Sequence, residues 1–163
     1  MTETAIVIRR AGASDIPAVG TIYRAAWIGA YSGIVPAESI KRVTAHPDAE
    51  LSASIAGERP GLFVAEASDG DVVGWVRLQG TLIKSLHVDP TRQGTGIGRK
   101  LLEHGVTLIG NRAYLICLAE NHPARAFYVR RGWREDGPAF EPIDGVNYPA
   151  IRYVAPAGAT SRH

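Results

Sequence analysis

The stretch from Arg92 to Arg99, Arg-Gln-Gly-Thr-Gly-Ile-Gly-Arg, sets glycines at alternate positions 94, 96 and 98 between an apolar run and a leucine-rich one. A strand that ends in such a turn and feeds a helix gathers free backbone N–H groups and the positive helix end into one small volume. That is an arrangement for binding an anion. A side chain at these positions would hold a phosphate away from the backbone and restrict the turn. Arg92, Gln93 and Arg99 flank the run and can add donors, arginine being suited to paired contacts with phosphate oxygens. Two better-known glycine loops do not match: a P-loop needs Lys then Ser or Thr after its last glycine, where this chain has Arg99-Lys100-Leu101. The dinucleotide fingerprint G-x-G-x-x-G needs a glycine at 99, which is arginine. Taken alone, the run is equally compatible with a ligand-free turn.

The elements that must position this run follow from periodicity. Residues 5–10 are short and β-branched, a first strand, and Gly12 to Asp15 supply a turn with Ser14 as helix cap. From Asp15 to about Ile28 the apolar positions Ile16, Val19, Ile22, Tyr23, Ala26 and Trp27 recur at the spacing of one helical face. Pro36 can open a second helix through 37–43, and 48–56 forms a third. Strands at 62–67, 72–79 and 82–88, joined by short Gly/Asp turns, make an antiparallel meander. A helix then begins inside the glycine run, its stripe carried by Leu101, Leu102, Gly105, Val106 and Ile109. Residues 114–119 read as a buried strand, and Pro123 to Gly132 bound a further helix. Strand material returns near Trp133 to Glu135 and at 150–154. The fold class is α/β, a mixed sheet with helices packed on it. One domain is expected over 1–155 and a frayed tail over 156–163.

Composition bounds the function. At 163 residues, 45% apolar and 21% charged, the chain builds one core. Eighteen basic against 16 acidic side chains leave a charge of +2, too mild for a nucleic-acid footprint. A single cysteine, Cys117, excludes an internal disulfide and suits a reducing cytoplasm, where it reads as a small buried hydrophobe. No apolar run reaches the roughly 20 residues that span a bilayer, and the N-terminus has no leader pattern. A cytoplasmic protein without nucleic-acid or membrane partners is expected, and a homodimer is compatible with this.

The segment from Gln93 to Gly98 after the strand "SLHVDP", followed by N-x-x-A-x-x-FY-x-x-x-GW from Asn121 to Trp133, resembles the GNAT superfamily of acetyl-CoA-dependent N-acetyltransferases. The resemblance covers residues 5–154 and is strongest over 82–133. It implies a mainly antiparallel central sheet, splayed at the cofactor site and flanked by helices. It implies acetyl-CoA as co-substrate, with no metal, and a pyrophosphate grip over Arg92, Gln93, Gly94, Thr95, Gly96, Ile97, Gly98 and Arg99. Leu86, His87 and Val88 would lie beside the pantetheine arm. Asn121 would contact that arm, and Tyr128 would protonate the departing thiolate. The acceptor would be a primary amine, a small molecule in preference to a protein N-terminus or lysine. Trp27, Tyr31 and Tyr148 would line an aromatic acceptor pocket, although helical spacing equally makes Trp27 core.

The chemistry fits independently. Acyl transfer from a thioester to an amine needs a neutral amine, a stabilised oxyanion and a protonated leaving sulfur. Tyr128 is placed for the last task, with core packing beside Phe127 as the alternative. A base is also expected, because an alkylamine with pKa near 10.4 is mostly protonated at neutral pH. Many relatives carry an acid in the strand before the glycine run, but this strand reads Leu82-Ile83-Lys84-Ser85-Leu86-His87. His87 is the substitute by pKa, with a buried structural histidine as the alternative. A bulge would bring it to the side of Lys84. Glu66 and Glu120 are weaker candidates, and His104 and His122 read as solvated. The missing acid keeps a non-catalytic acyl-CoA-binding module as the rival.

Overall fold

A computed structural model describes residues 5–158. In chain order the strands are β1 (Ile6–Arg10), β2 (Pro60–Ala67), β3 (Val72–Gln79), β4 (Leu82–Val88), β5 (Tyr114–Leu118), β6 (Arg134–Ile143) and β7 (Val146–Val154). The helices are α1 (Ile16–Tyr31), α2 (Ala37–Val43), α3 (Asp48–Ala56), α4 (Ile97–Ile109) and α5 (His122–Arg130). The strands form one seven-stranded sheet in the order β1-β2-β3-β4-β5-β7-β6. Every pairing is antiparallel except β4 with β5. This is the expected mixed sheet. The proposed tail falls largely on residues 159–163, outside the described residues.

Two apolar layers hold the sheet. On one face, α4 and α5 cover a core that includes Val76, Leu78, Ile83, Leu101, Leu102 and Tyr153. The opposite face meets α1 and α3 through Val19, Ile22, Leu51, Val64 and Trp75. Helix α4 lies close to the sheet because two glycines face its contact: a Cβ on Gly105 would sit 3.1 Å from Leu78, and one on Gly74 would sit 3.0 Å from Leu101.

The parallel pair creates the opening. Between β4 and β5 only Leu82 and Tyr114 are in register, so the two strands part beyond that point. From Ile83 onward the β4 edge that faces β5 has no strand alongside it. On its other edge β4 is fixed to β3, with the register slipping at Lys84 between Leu78–Ile83 and Arg77–Ser85. This is the expected bulge. It sets Ile83 and Leu86, three residues apart, against the same core.

Three local expectations need correction. Ser14 is not a helix cap: a single 3-10 turn over Ala13–Asp15 precedes α1. There the Asp15 carboxylate accepts from the Gly12 N–H at 2.7 Å and from Arg9 at 2.8 Å, so Arg9 holds its pKa below the usual carboxylate value. His104 is not solvated, since its ring lies 4.8 Å from that of Phe63 and burial lowers its pKa. The strand near Trp133 runs on to Ile143, past Pro138 and Pro142. Prolines are tolerated there because β6 is the last strand of the sheet, and an edge strand need not donate outward.

Candidate active site

The glycine run folds as a turn capped by α4. Asp89 closes the preceding 3-10 turn by accepting from the Thr91 N–H at 2.9 Å, and Thr95 Oγ1 donates to the Arg92 carbonyl at 2.6 Å. Gly94 and Gly96 have φ of 86° and 84°, the left-handed region where a side chain is strained. Gly96 is the N-cap of α4, and Lys100 donates to its carbonyl. Among the described residues no acceptor meets the N–H groups of Gly94 to Arg99. A Cβ on Gly94 would meet nothing within 4 Å, so the backbone there is open to a ligand. Gly98 has a different use: a Cβ there would lie 3.4 Å from the Phe127 ring, so it is the seat on which α5 rests. Thr95 itself does not line the cavity described next.

A cavity of about 910 Å³ runs from this turn through the β4–β5 opening to the far ends of α1 and β6. At the turn it is walled by Arg92, Gln93, Gly94, Gly96, Ile97, Gly98 and Arg99. Arg130 and Arg131 add positive charge from the end of α5. The sequence reading missed those two, whose signal was a basic pair at the helix end facing the glycine run. Free donors and surrounding guanidinium groups together make a cradle that fits a pyrophosphate. Leu86, His87 and Val88 line the middle of the cavity beside the parted strand edge.

Asn121, at the N-cap of α5, and Tyr128, within that helix, follow β5. Asn121 caps α5, its Oδ1 accepting from the Ala124 N–H at 3.4 Å, and it lines the cavity. Helix α5 is held in place by Arg125, which donates to Tyr153 Oη at 3.0 Å, the Ala119 carbonyl at 3.0 Å and Glu135 at 2.8 Å. That clamp orients Tyr128, whose ring packs 5.3 Å from Phe127 and 5.9 Å from Tyr153. The phenol lines the cavity, and burial, helped by Cys117, Tyr31 and Tyr153, raises its pKa well above the ordinary value. It therefore keeps its proton at any physiological pH. No described residue takes up its hydroxyl hydrogen bond.

His87 is packed rather than poised. Its ring lies 5.0 Å from Trp75 and 5.7 Å from Tyr23, and among the described residues no carboxylate holds either nitrogen. Burial pushes its pKa down to about 4, so the imidazole is neutral but a weak base. Cys117 also lines the cavity, and burial pushes its thiol up to about 11, which leaves little nucleophilic thiolate.

At the acceptor end, Trp27 and Tyr31 pack edge to face at 4.6 Å, and Tyr23 stands 5.6 Å from Trp27. Trp27 is 9% exposed and belongs to a cluster with Val35, Ile40, Leu118 and Ile143 while still reaching the cavity wall. Tyr148 packs against that cluster and does not line the cavity. Glu66 is engaged by Arg9 at 2.9 Å, and neither it nor Glu120 reaches the cavity. No helix among the described residues is long and apolar enough to cross a membrane.

Comparison with known proteins agrees with this geometry. A family profile described as "Acetyltransferase (GNAT) domain" matches residues 58–135. The peptidyl-lysine N-acetyltransferase YjaB of Salmonella typhimurium is 31% identical over 107 residues, covering 66% of this chain and 72% of that protein. The solution structure of apo-form YjaB from Escherichia coli superposes with a TM-score of 0.74 at 25% identity, over 92% of this chain and 97% of that one. The PaiA N-acetyltransferase of Thermoplasma acidophilum, solved with coenzyme A, shares the fold with a TM-score of 0.74 at 18% identity, over 93% and 99% of the two chains. With the profile lying on β2 through α5 and the relatives spanning the sheet on either side, the chain belongs to the GNAT superfamily of acetyltransferases.

Proposed function

We propose that this protein moves an acetyl group from acetyl-CoA to a primary amine, preferentially a small molecule, by direct attack with both substrates bound. The observation that carries this reading is one continuous cavity joining an anion cradle, a protonated phenol and an aromatic pocket. Acetyl-CoA supplies the thioester. The free N–H groups of Gly94 to Arg99 hold its pyrophosphate, with Arg92 and Arg99 as side-chain donors. The parted edge of β4 at Leu86, His87 and Val88 aligns the pantetheine arm, and Asn121 supports it from the start of α5. Tyr128 donates its proton to the sulfur as the C–S bond breaks. Its raised pKa withholds that proton until a thiolate develops in the same low-dielectric space. Tyr23, Trp27 and Tyr31 offer the acceptor an apolar, electron-rich wall. We read residues 1–155 as the catalytic domain, working in the cytoplasm.

A protein lysine side chain is the second reading, favoured by the peptidyl-lysine activity named for the relative of 31% identity. A panel of phenethylamine, hexylamine, spermidine and a lysine-containing peptide, assayed by CoA release, separates the two. The expected result is turnover that is highest with a small amine and falls about 100-fold in Tyr128→Phe, within the range for a lost general acid. Coenzyme A affinity should be unchanged in that variant. Tight coenzyme A binding with no turnover on any amine would instead mark a non-catalytic module.

A further inference from the structure

Three carboxylates reach the cavity wall: Glu50, Glu141 and Asp144. Two of them are committed elsewhere. Glu50 is bound by the buried guanidinium of Arg77, which Glu58 also grips, and Asp144 accepts from Arg42 at 2.7 Å. Among the described residues, no hydrogen bond or ion pair holds Glu141.

The position of Glu141 follows from strand alternation. Along β6, Ala139, Glu141 and Ile143 are the shielded residues, while Pro138, Phe140 and Pro142 are exposed. Ile143 is buried in the cluster with Trp27 and Ile40. Residues two apart in a strand share a face, so Glu141 points to the same side, at the end of α1. There it lies within electrostatic reach of Tyr23 and Tyr31. We infer that Glu141, and not His87, accepts the proton of the acceptor amine. This assignment rests on the acetyl-transfer reading above.

The electrostatics agree with that placement. Burial raises the Glu141 pKa, which makes the carboxylate a stronger base, while the charge of Lys84 opposes part of that rise. The groups facing it are Lys84 on β4, Tyr23 and Tyr31 on α1, and its cross-strand partner Tyr148 on β7. Burial holds the Tyr23 phenol at about 12 and raises that of Tyr31, so neither supplies a base near neutrality. In the reaction, an acceptor ammonium gives one proton to Glu141, which passes it to water. The freed nitrogen lone pair forms the N–C bond to the acetyl carbon. As the C–S bond breaks, its electron pair goes to sulfur, and the sulfur takes the Tyr128 proton. The nitrogen loses a second proton through Glu141, and solvent restores Tyr128. The sum is ammonium plus acetyl-CoA to amide, free CoA and one proton.

The test is the pH profile of kcat/KM for wild type, Glu141→Gln and Glu141→Asp with phenethylamine, alongside coenzyme A titration. Glu141→Gln should lose about 100-fold or more at pH 7, the scale of a missing general base. Its deficit should shrink as the pH approaches the amine pKa near 10.4, where the acceptor deprotonates without help. Glu141→Asp should recover part of the loss, and coenzyme A affinity should hold throughout. Glu141→Gln within roughly threefold of wild type at pH 7 overturns the assignment while leaving acetyl transfer intact. A deficit that is constant with pH, or that comes with lost coenzyme A affinity, also overturns it by showing a structural role. Wild type without turnover on any amine of the panel removes the acetyl-transfer reading and this assignment with it.

Discussion

Replacing Gly74 by alanine should loosen the seat of α4 on the sheet. Gly74 lies in β3 with a backbone that alanine can adopt, since it is absent from the positive-φ glycines. The added Cβ, however, would lie 3.0 Å from Leu101 Cδ1, 3.1 Å from the His87 carbonyl oxygen and 3.1 Å from Ile97 Cγ2. Relaxed contacts between carbons are nearer 3.5–4.0 Å, roughly half an ångström longer. Leu101 is fully buried and Ile97 nearly so, which leaves neither room to swing away. The His87 carbonyl is fixed by the β3–β4 ladder. Overfilling of this kind costs about 1–3 kcal/mol, offset by about 0.4–1 kcal/mol from the reduced freedom of the unfolded chain. A net loss of about 1–2 kcal/mol lowers Tm by about 2–8 °C in a chain of this size. Because Ile97 is the first residue of α4, the push should also reach the anion cradle and weaken coenzyme A binding. Thermal unfolding followed by circular dichroism, with coenzyme A titrated by calorimetry, reads both effects. Gly29→Ala is the control: its Cβ would meet nothing within 4 Å, and the helix should gain about 0.5–1 kcal/mol. A Gly74→Ala protein with unchanged Tm and unchanged coenzyme A affinity would refute the close packing of α4 on β3 as the device that positions the cradle.

Gly96→Val should abolish detectable coenzyme A binding while the protein stays folded, because it puts a β-branched side chain at φ 84° on the rim of the cradle; unchanged affinity by calorimetry would contradict the pyrophosphate placement. His87 has a folded pKa of about 4 against an ordinary 6.5, so the unfolded chain takes up its proton first. The stability this contributes is complete above about 6.5 and declines as pH falls toward 4, after which it is flat. His87→Gln should accordingly make the fall in Tm between pH 6.5 and 4 shallower, and an unchanged slope would mean that the imidazole is not buried.

The glycine-run half of the candidate site was legible in the sequence because it is local. A glycine run, the helix it starts and the capped helix downstream are set by neighbouring residues, and backbone N–H groups need no distant partner to become free. The order of strands and helices followed from periodicity for the same reason. Gly98 was only half understood: its turn position was visible, but its contact with Phe127 joins residues 29 positions apart.

The other half of the candidate site was decided by tertiary structure. His87 looked like a base by type, and only the packing of Trp75 and Tyr23 around it reveals how far burial lowers its basicity. Tyr148 looked like a pocket residue, and strand pairing turns it into the Trp27 cluster. Glu141 drew no notice because a carboxylate between Phe140 and Pro142 carries no local sign of which cavity acids are already paired. Its meaning depends on Arg77 and Arg42 occupying the other two acids of the cavity, a fact of residues up to 102 positions apart. The sequence by itself determined where an anion can be held, since that needs only bare backbone at a helix start. Which groups of the remaining cavity wall stay unpaired and shielded depends on desolvation and on pairing between distant charges, and these exist only once the sheet has closed its two layers around the cavity.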